Sequence, residues 1–320
     1  MDAHDHPHAH GREQGHDKGH AKGHDHAHAA RGGRLVAVLA ITLVVLAVQL
    51  LAAWRSGSLA LLADSAHVAV DAAGLVLAVV ADRLARRPAT ARHTWGLRRA
   101  EVLAAGAQAT LLLGVGMFVL WEGVARLVHP EPVTSGLMLA AAAVGLAGNL
   151  AGVALLLGDR GANLSVRGAF LDLASDALGS VAVLTAAAVI AATGWTRADA
   201  LASLAVVALI VPRTLALLRD SVAVLLEATP AGLDLTEVRS HLLALPHVLD
   251  VHDVHASLVA TGLPVLTAHV VVDDACFLDG HVPTLLDAVQ ACLALDFDVE
   301  HSTFQFEPAA HASHERGTHG

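Results

Sequence analysis

Six long apolar segments dominate the sequence and restrict the folds that the chain can adopt. They cover residues 35–54, 59–81, 100–127, 135–157, 166–193 and 199–218. Each supplies about 20 residues of helix, which is the length that crosses a hydrocarbon core of about 30 Å. Only 16% of the 320 residues are charged, whereas about 25% is usual in soluble domains. The sequence therefore predicts an α-helical membrane domain with six transmembrane helices.

The arginines between these segments predict how the helices are oriented. The 82–99 loop contains six arginines, and Arg160 and Arg167 lie in or beside the 158–165 loop, whereas 128–134 contains none. Basic loops remain on the cytoplasmic side of a membrane. Both termini are thus expected in the cytoplasm, and the chain is expected to be a multi-pass protein of a bacterial plasma membrane.

Composition excludes several other classes of protein. Aromatic residues make up 3% of the chain, tyrosine is absent, and the formal net charge is −10. This balance excludes nucleic-acid binding, which needs stacking side chains and positive charge. Cys276 and Cys292 are too few for a disulfide framework and are interpreted as reduced thiols.

Histidine is unusually abundant, with 22 residues, and indicates metal handling. Residues 1–33 form a low-complexity tail that is expected to be disordered, as is the shorter tail at 308–320. The N-terminal tail is either a metal-capture segment or a dispensable, weakly binding one. Its candidate capture residues are His4, His6, His8, His10, His24, His26 and His28.

The residues after the sixth segment have the composition of a small soluble domain. Helices are predicted at 235–245 and 283–295, and strands at 248–259, 264–273 and 297–306. We therefore expect a cytoplasmic α+β domain of α-β-β-α-β order, with a ferredoxin-like arrangement. The predicted domains are a tail at 1–33, a membrane domain at 34–220, a cytoplasmic domain at 221–307 and a tail at 308–320.

Two of the apolar segments contain paired ionisable residues four positions apart. His67 and Asp71 lie in the second segment, and Asp172 and Asp176 in the fifth. Residues at i and i+4 share one helix face, with Cβ atoms about 5–6 Å apart. If the two helices pack together, one imidazole and three carboxylates converge, and this donor set suits a tetrahedral Zn²⁺ site.

The alternative is that these residues form a polar network between helices. One aspartate at the centre of a membrane helix costs about 2.5–3.5 kcal/mol, whereas an interhelical hydrogen bond returns about 0.6 kcal/mol. No lysine or arginine is expected at matching depth, so a divalent cation is the better partner. Asp64, one turn before His67, is either a gate or access residue or an interfacial acid.

Other polar residues are given structural roles. Gln108 and Asn149 lie within apolar segments and are predicted to hydrogen bond between helices. Asp199 is predicted to be an interfacial charge.

Several motifs occur together between about residues 35 and 307. They are Ser58-Leu-Ala-Leu-Leu-Ala-Asp-Ser-Ala-His67 through Asp71, Asn163-Leu-Ser-Val-Arg-Gly-Ala-Phe170, Asp176-Ala-Leu-Gly-Ser180, Pro246-His-Val248, Val251-His-Asp-Val-His255, Ala268-His-Val-Val-Val-Asp273 and His301-Ser-Thr303. In this combination of motifs the sequence resembles the cation diffusion facilitator family of zinc and cadmium efflux transporters.

The resemblance implies a homodimer that exchanges a divalent cation for protons, with the cytoplasmic domains at the dimer interface. Zinc-type members usually carry His-x-x-x-Asp in both helices, but Asp172 replaces the second histidine here. A carboxylate makes the site harder, which is expected to loosen selectivity for Zn²⁺ toward Cd²⁺, Co²⁺, Mn²⁺ or Fe²⁺.

The resemblance also implies a regulatory metal site in the cytoplasmic domain. His252, His269 and His301 match positions at which relatives bind metal between protomers, and His255 and His281 are further candidates. The alternative is that these are ordinary surface or half-buried histidines.

These observations predict a secondary active transporter that exports Zn²⁺ in exchange for protons, and not an enzyme. His67, Asp71, Asp172 and Asp176 would bind metal only when deprotonated, and histidine ordinarily titrates at about pH 6.5. The alternatives are a membrane-anchored metal sensor or storage protein, the same transporter with a preference for Mn²⁺ or Fe²⁺, and a passive channel. No Walker-type phosphate loop is present, and no organic cofactor or nucleotide is predicted.

Overall fold

Six long helices form the first part of the molecule. The computed structural model describes residues 20–157, 164–312 and 314. The helices are α1 (His20–Ser56), α2 (Leu59–Ala85), α3 (Ala100–Val128), α4 (Ser135–Leu156), α5 (Leu164–Thr193) and α6 (Arg197–Leu225). Among the described residues, five of them, all except α2, contain a stretch that is long and apolar enough to cross a membrane.

The helix α2 is the exception, and three polar residues interrupt its apolar sequence. Asp64, His67 and Asp71 lie in its first half. It is nevertheless a helix of 27 residues, and its N-terminal half is largely buried against the other helices. The structure thus establishes an α-helical membrane domain with five apolar helices, and α2 packs among them.

Small residues let these helices pack closely. One buried cluster joins α1, α2, α4, α5 and α6 and consists largely of alanines, among them Ala53, Ala60 and Ala142. Close packing through small side chains stabilises membrane helices where lipid provides no hydrophobic drive. At Gly179 on α5, an added Cβ would lie 2.9 Å from Asp64 Oδ1 on α2, so the lack of a side chain there lets the helices approach.

The first turn of α2 is held by an acid from α6. Asp199 is 1% exposed, and its carboxylate accepts hydrogen bonds from Ser58 Oγ at 2.5 Å and from the backbone N–H of Leu59 at 2.7 Å. A carboxylate at a helix N-terminus satisfies unpaired amides and interacts favourably with the helix dipole. Asp199, which was interpreted as an interfacial charge, is thus buried within the protein and caps α2.

The first helix begins earlier than the sequence predicted. It starts at His20, so residues 20–33 are helical, although they were expected to be disordered. This segment is rich in alanine, the strongest helix former, and runs directly into the apolar part of the helix. Residues 1–19, the rest of the predicted tail, lie outside the described residues.

The C-terminal part of the chain folds into a small α/β domain. Its elements are α7 (Leu235–Leu243), β1 (Val248–Ala260), β2 (Leu263–Val272), α8 (Cys276–Asp279), α9 (Val282–Asp296), β3 (His301–Pro308) and α10 (Ala309–Ala312). The sheet has the order β1-β2-β3, with β1 antiparallel and β3 parallel to β2. The predicted α-β-β-α-β order is present, with the short helices α8 and α10 added.

Two details of this domain differ from the prediction. The third strand begins at His301 and not at residue 297, because Asp298 adopts a positive φ of 55°, which a strand does not accommodate. At the other end, α10 occupies part of the tail that was expected to be disordered. Cys276 is buried in the domain core, and both cysteines are free, as the sequence indicated.

Candidate metal centre

His67 lies at the centre of the intramembrane polar residues. Its Nε2 atom is 3.4 Å from Asp71 Oδ2 on the same helix and 3.3 Å from Asp176 Oδ1 on α5. The side chains of His67 and Asp176 are only 14% and 13% exposed. The structure therefore brings three of the four predicted ligands together, as the i, i+4 spacing and the packing of α2 against α5 required.

The second ring nitrogen of His67 is also informative. Nδ1 is buried and has no hydrogen-bond partner among the residues that the structure describes. A buried polar atom without a partner costs about 1–3 kcal/mol. Such an atom is tolerated mainly where another demand, such as binding an ion, fixes the side chain.

A cavity of about 490 Å³ leads to His67 from the side of the C-terminal domain. Its walls come from α2, α3, α5 and α6, from the middle of these helices toward their ends nearest that domain. They include His67, Asp71, Gln108, Asp172, Ser175, Arg213 and Leu217. On the opposite side of His67, the space between α2, α3 and α6 is only about 10 Å³, room for about one water. The centre is thus open toward the C-terminal domain and closed on the other side.

Asp172 lines this cavity but has a different partner. Its Oδ1 atom lies 2.5 Å from Arg213 Nη2 on α6. The expectation that no basic residue lies at matching depth is therefore wrong. The contact depends on how α5 packs against α6, and neither helix shows that packing in its own sequence.

Asp64 lies beside the centre on its closed side. It is 3% exposed, and its Oδ2 accepts a hydrogen bond of 2.9 Å from Gln49 Nε2 on α1. It borders a space of about 10 Å³ together with His67 and Asp176. Of the two readings left open, an interfacial acid does not fit, because the carboxylate is buried among α1, α2 and α5.

The two amides singled out from the sequence both hydrogen bond between helices. Gln108 Nε2 on α3 donates to Asp71 Oδ1 at 3.1 Å, and Asn149 Nδ2 on α4 donates to Ser180 Oγ on α5 at 3.4 Å. Both predictions are confirmed. Gln108 does more than join helices, because it also orients a predicted ligand.

A second cluster of metal-ligating side chains lies on the sheet of the C-terminal domain. One donor atom from each of His252, His269 and Glu307 lies within 4.8 Å of the others, and this is the tightest such group among the described residues. His252 Nε2 is 2.6 Å from Glu307 Oε1. Two imidazoles and a carboxylate are donors that Zn²⁺ accepts, so the residues present fit a bound divalent cation.

Strand pairing positions this cluster. His252 on β1 is opposite His269 on β2, which in turn pairs with Gln305 on β3. Glu307, two residues further along β3, lies on the same face as Gln305. Burial raises the pKa of Glu307 and hydrogen bonds from His252 and Gln305 lower it, so that its pKa lies below the ordinary value.

Three other predicted ligands lie outside this cluster. His301 pairs with Val265, four residues along β3 from Gln305, and its ring packs on Trp95 with centroids 4.7 Å apart. His255 contacts Asp253 at 3.1 Å and His281 contacts Asp279 at 2.9 Å. The register of β3 thus places Glu307, and not His301, beside His252 and His269. Glu307 was missed because only histidines were considered as ligands there, and because it lies one residue beyond the strand predicted at 297–306.

Only some of the capture residues predicted in the tail are among the residues that the structure describes. His4, His6, His8 and His10 lie outside the described residues. His24, His26 and His28 belong to the N-terminal part of α1. Their role in capture stays a prediction.

The sequence was compared with known families and proteins. Residues 35–226 match the cation efflux transmembrane domain, and residues 230–309 match the cation efflux protein cytoplasmic domain.

Several bacterial relatives match most of the chain. The metal cation efflux system protein CzcD of Cupriavidus metallidurans is 38% identical over 89% of this chain and 90% of its own length. The zinc transporter ZitB of Escherichia coli is 39% identical, over 86% and 87%. A cadmium, cobalt and zinc/H(+)-K(+) antiporter of Bacillus subtilis is 31% identical, over 82% and 85%.

A solved structure also matches part of the chain. The metal-bound C-terminal domain of the CzcD transporter is 40% identical, covers 23% of this chain and 99% of its own, and has a TM-score of 0.21. Both domains of this chain match one family, and its relatives match nearly end to end. The chain is an integral membrane protein of the cation efflux, or cation diffusion facilitator, family.

Proposed function

We propose that the chain exports divalent metal cations, Zn²⁺ foremost, from the cytoplasm in exchange for protons. The observation that carries the proposal is the position of His67 Nε2, 3.4 Å from Asp71 and 3.3 Å from Asp176 at the inner end of a cavity of about 490 Å³. The names of two bacterial relatives, the zinc transporter ZitB and the cadmium, cobalt and zinc antiporter of Bacillus subtilis, support this choice of substrate.

Proton exchange follows from the chemistry of the ligands. The imidazole and the carboxylates bind a cation only in their deprotonated forms, so metal binding releases protons and metal release admits them. An empty, fully charged site is unfavourable in the membrane interior. The site therefore alternates between a metal-loaded and a protonated state, which makes the chain a secondary active transporter. The name of the Bacillus subtilis relative, which describes it as an H(+)-K(+) antiporter, supports this.

Alternating access is the step that moves the cation across. In the present conformation the centre opens toward the C-terminal domain, which the arginine-rich 82–99 loop assigns to the cytoplasm. Export requires a second conformation, in which the space of about 10 Å³ beyond His67 widens and the cavity closes. In this proposal α2 is the sixth transmembrane helix, both termini are cytoplasmic, and residues 34–220 and 221–307 are the membrane and cytoplasmic domains.

The cytoplasmic domain acts as a dimerisation and regulatory unit in this proposal. The match of residues 230–309 to the cation efflux cytoplasmic domain supports self-association. A divalent cation held by His252, His269 and Glu307 would neutralise Glu307 and fix the three strands, and the apposed domains of a dimer would sense cytoplasmic metal through it.

One observation favours the alternative of a membrane-anchored sensor. The cytoplasmic cluster is more tightly gathered than the intramembrane centre. A sensor has no need of buried acids in two helices, and the cavity leading to His67 has no role in it. We therefore propose that the chain is a transporter, and the experiment must distinguish this function from that of a membrane-anchored sensor.

The test is proton flux driven by metal in proteoliposomes. The purified chain is reconstituted with a pH dye inside the vesicles, and Zn²⁺, Cd²⁺, Co²⁺ or Mn²⁺ is added outside. Added metal is expected to drive a proton flux in vesicles with the wild type. The variants His67→Ala and Asp176→Ala are expected to show no such flux. Asp287→Ala, at an exposed position on α9, is the matched control and is expected to behave as wild type. Flux that persists without His67 and Asp176 would refute the site.

A further inference from the structure

Arg213 is placed so that it offsets the one unusual ligand of the centre. Its Nη2 atom lies 2.5 Å from Asp172 Oδ1, and both residues line the cavity that leads to His67. Among the described residues of that wall, Arg213 is the side chain with a permanent positive charge. Asp172 occupies the position at which zinc-type members of the family usually have histidine.

The charges of the four predicted ligands show what the pairing does. With neutral His67, the three aspartates give the centre a formal charge of −3, which a dication reduces to −1. The guanidinium of Arg213 adds one positive charge, so that the centre is −2 when empty and neutral with a dication bound. Those are the values of a centre with histidine in place of Asp172 and no arginine. The charge introduced by the aspartate is thus balanced from α6.

Arginine suits this role better than another cation. Its guanidinium is charged at any accessible pH, donates to carboxylates in a fixed planar fork and does not bind metal. Its side chain is 68% exposed and follows Pro212, which cannot donate a backbone hydrogen bond within α6. Arg213 therefore has room to leave Asp172 along the cavity.

We propose that Arg213 is a tethered cation that competes with the transported metal for Asp172 and thereby determines metal selectivity. When the centre is empty, the guanidinium holds the carboxylate. A metal bound by His67, Asp71 and Asp176 gains Asp172 as its fourth ligand by drawing the carboxylate away from Arg213, which stays in the cavity wall and still offsets the negative charge. Ions that profit most from an added hard oxygen ligand, such as Mn²⁺, are the ones that this competition restrains most. The inference rests on the proposed transport function, since it concerns the same centre.

The test is a double-mutant cycle on full-length protein in proteoliposomes. Wild type, Arg213→Gln, Asp172→His and the double variant are compared through KM and Vmax for Zn²⁺ and for Mn²⁺. Arg213→Gln is expected to lower the preference for Zn²⁺ over Mn²⁺ by about fivefold, mainly through a lower KM for Mn²⁺. In the Asp172→His background the same substitution is expected to change the preference less than about twofold, because the carboxylate that pairs with Arg213 is absent. Arg213→Lys keeps the charge and is expected to retain most of the wild-type preference.

The outcomes separate this inference from the proposed function. An equal effect of Arg213→Gln in both backgrounds, or no effect in either, would overturn it while transport stands. If the wild type carries no metal at all, the proposed function fails. The same four proteins are then compared by Zn²⁺ and Mn²⁺ binding in detergent, and the binding assigned to the centre is the part that Asp176→Asn removes. The inference stands if Arg213→Gln changes the preference for Zn²⁺ over Mn²⁺ when Asp172 is present and not when it is replaced by histidine. If Arg213→Gln elutes as aggregate, it is replaced by Arg213→Met, which also removes the positive charge and is expected to give the same lower KM for Mn²⁺.

Discussion

The intramembrane centre and the cytoplasmic cluster contain similar side chains but assemble them in different ways. In the C-terminal domain, His252, His269 and Glu307 project from three adjacent strands, and their donor atoms lie within 4.8 Å of one another. In the membrane domain, His67 contacts Asp71 and Asp176, while the fourth predicted ligand, Asp172, pairs with Arg213. All three candidate ligands of the cytoplasmic cluster therefore lie close together, whereas in the intramembrane centre the fourth predicted ligand is paired elsewhere.

The difference follows from what holds each set of ligands in place. Strand register is fixed by backbone hydrogen bonds, so a site on one sheet keeps its geometry without metal. Ligands on separate helices keep their distance only while the helices keep their packing, and a small shift of α2 against α5 makes or breaks the site. A fixed site suits retention of a cation, and a movable site suits its release. This contrast supports the proposal that the centre transports the cation and that the cluster senses it.

The strongest way to break the contrast is to remove a ligand from the intramembrane centre. Asp176→Ala is expected to lower zinc-driven proton flux by more than about 100-fold, because Asp176 is the contact from α5 to His67. The measurement is flux in proteoliposomes across a range of Zn²⁺ concentrations, with circular dichroism as the control for folding. If Asp176→Ala retained half of the wild-type flux, the centre would not be the transport site.

The sequence predicted this part of the centre well, and for a physical reason. Helical periodicity places His67 beside Asp71 without knowledge of the fold, and the cost of burying acids in lipid requires that the second helix contribute a partner. Gln108 and Asn149 were also assigned correctly, because an amide in an apolar helix has few partners other than a neighbouring helix.

The remaining parts depend on packing and register, which periodicity does not encode. Arg213 meets Asp172 only because α5 and α6 are neighbours at that depth. Glu307, and not His301, lies beside His252 and His269 because the parallel pairing of β3 with β2 places Gln305 opposite His269. Asp199 was taken as an interfacial charge because it lies near a helix start, although it reaches across to the first turn of α2.

The Asp199 cap allows the movable site to be disturbed without touching a ligand. Asp199→Ala leaves Ser58 Oγ and the N–H groups of Leu59 and Ala60 without their acceptor, at a cost of about 3 kcal/mol in unfolding free energy. Asp199→Asn keeps one acceptor oxygen and is expected to lose less. The measurements are the thermal midpoint in detergent and the transport rate.

The same pair of variants sharpens the comparison between the sites. Both are expected to leave zinc binding by the cytoplasmic cluster at its wild-type value, because the cluster is fixed by the sheet. If Asp199→Ala weakened the cluster as much as it slowed transport, the two sites would not be mechanically independent. Equal stability of the Ala and Asn variants would show that the cap contributes nothing.

The cytoplasmic cluster is expected to modulate transport without being required for it. Glu307→Gln removes a carboxylate that lies 2.6 Å from His252 Nε2 and is expected to lower zinc affinity of the cluster by about tenfold. Transport at saturating Zn²⁺ is expected to fall only a few-fold. Calorimetry in the Asp176→Asn background isolates the cluster, and His301→Ala, at the far end of β3, is the matched control. Unchanged zinc affinity in Glu307→Gln would remove the regulatory site from the proposal.

The smallest expected effect concerns the close approach of α5 to α2. At Gly179 a Cβ would lie 2.9 Å from Asp64 Oδ1, so Gly179→Ala forces the helices apart by a few tenths of an ångström, at a cost of about 1 kcal/mol. Since Asp176 is on the same helix, its distance to His67 is expected to lengthen and the KM for Zn²⁺ to rise about twofold. Gly136→Ala, where a Cβ meets nothing within 4 Å, is the control. Because the cytoplasmic cluster does not depend on helix packing, its zinc affinity is expected to be the same in both variants. A wild-type KM for Zn²⁺ in Gly179→Ala would show that the centre tolerates helix movement better than its geometry implies.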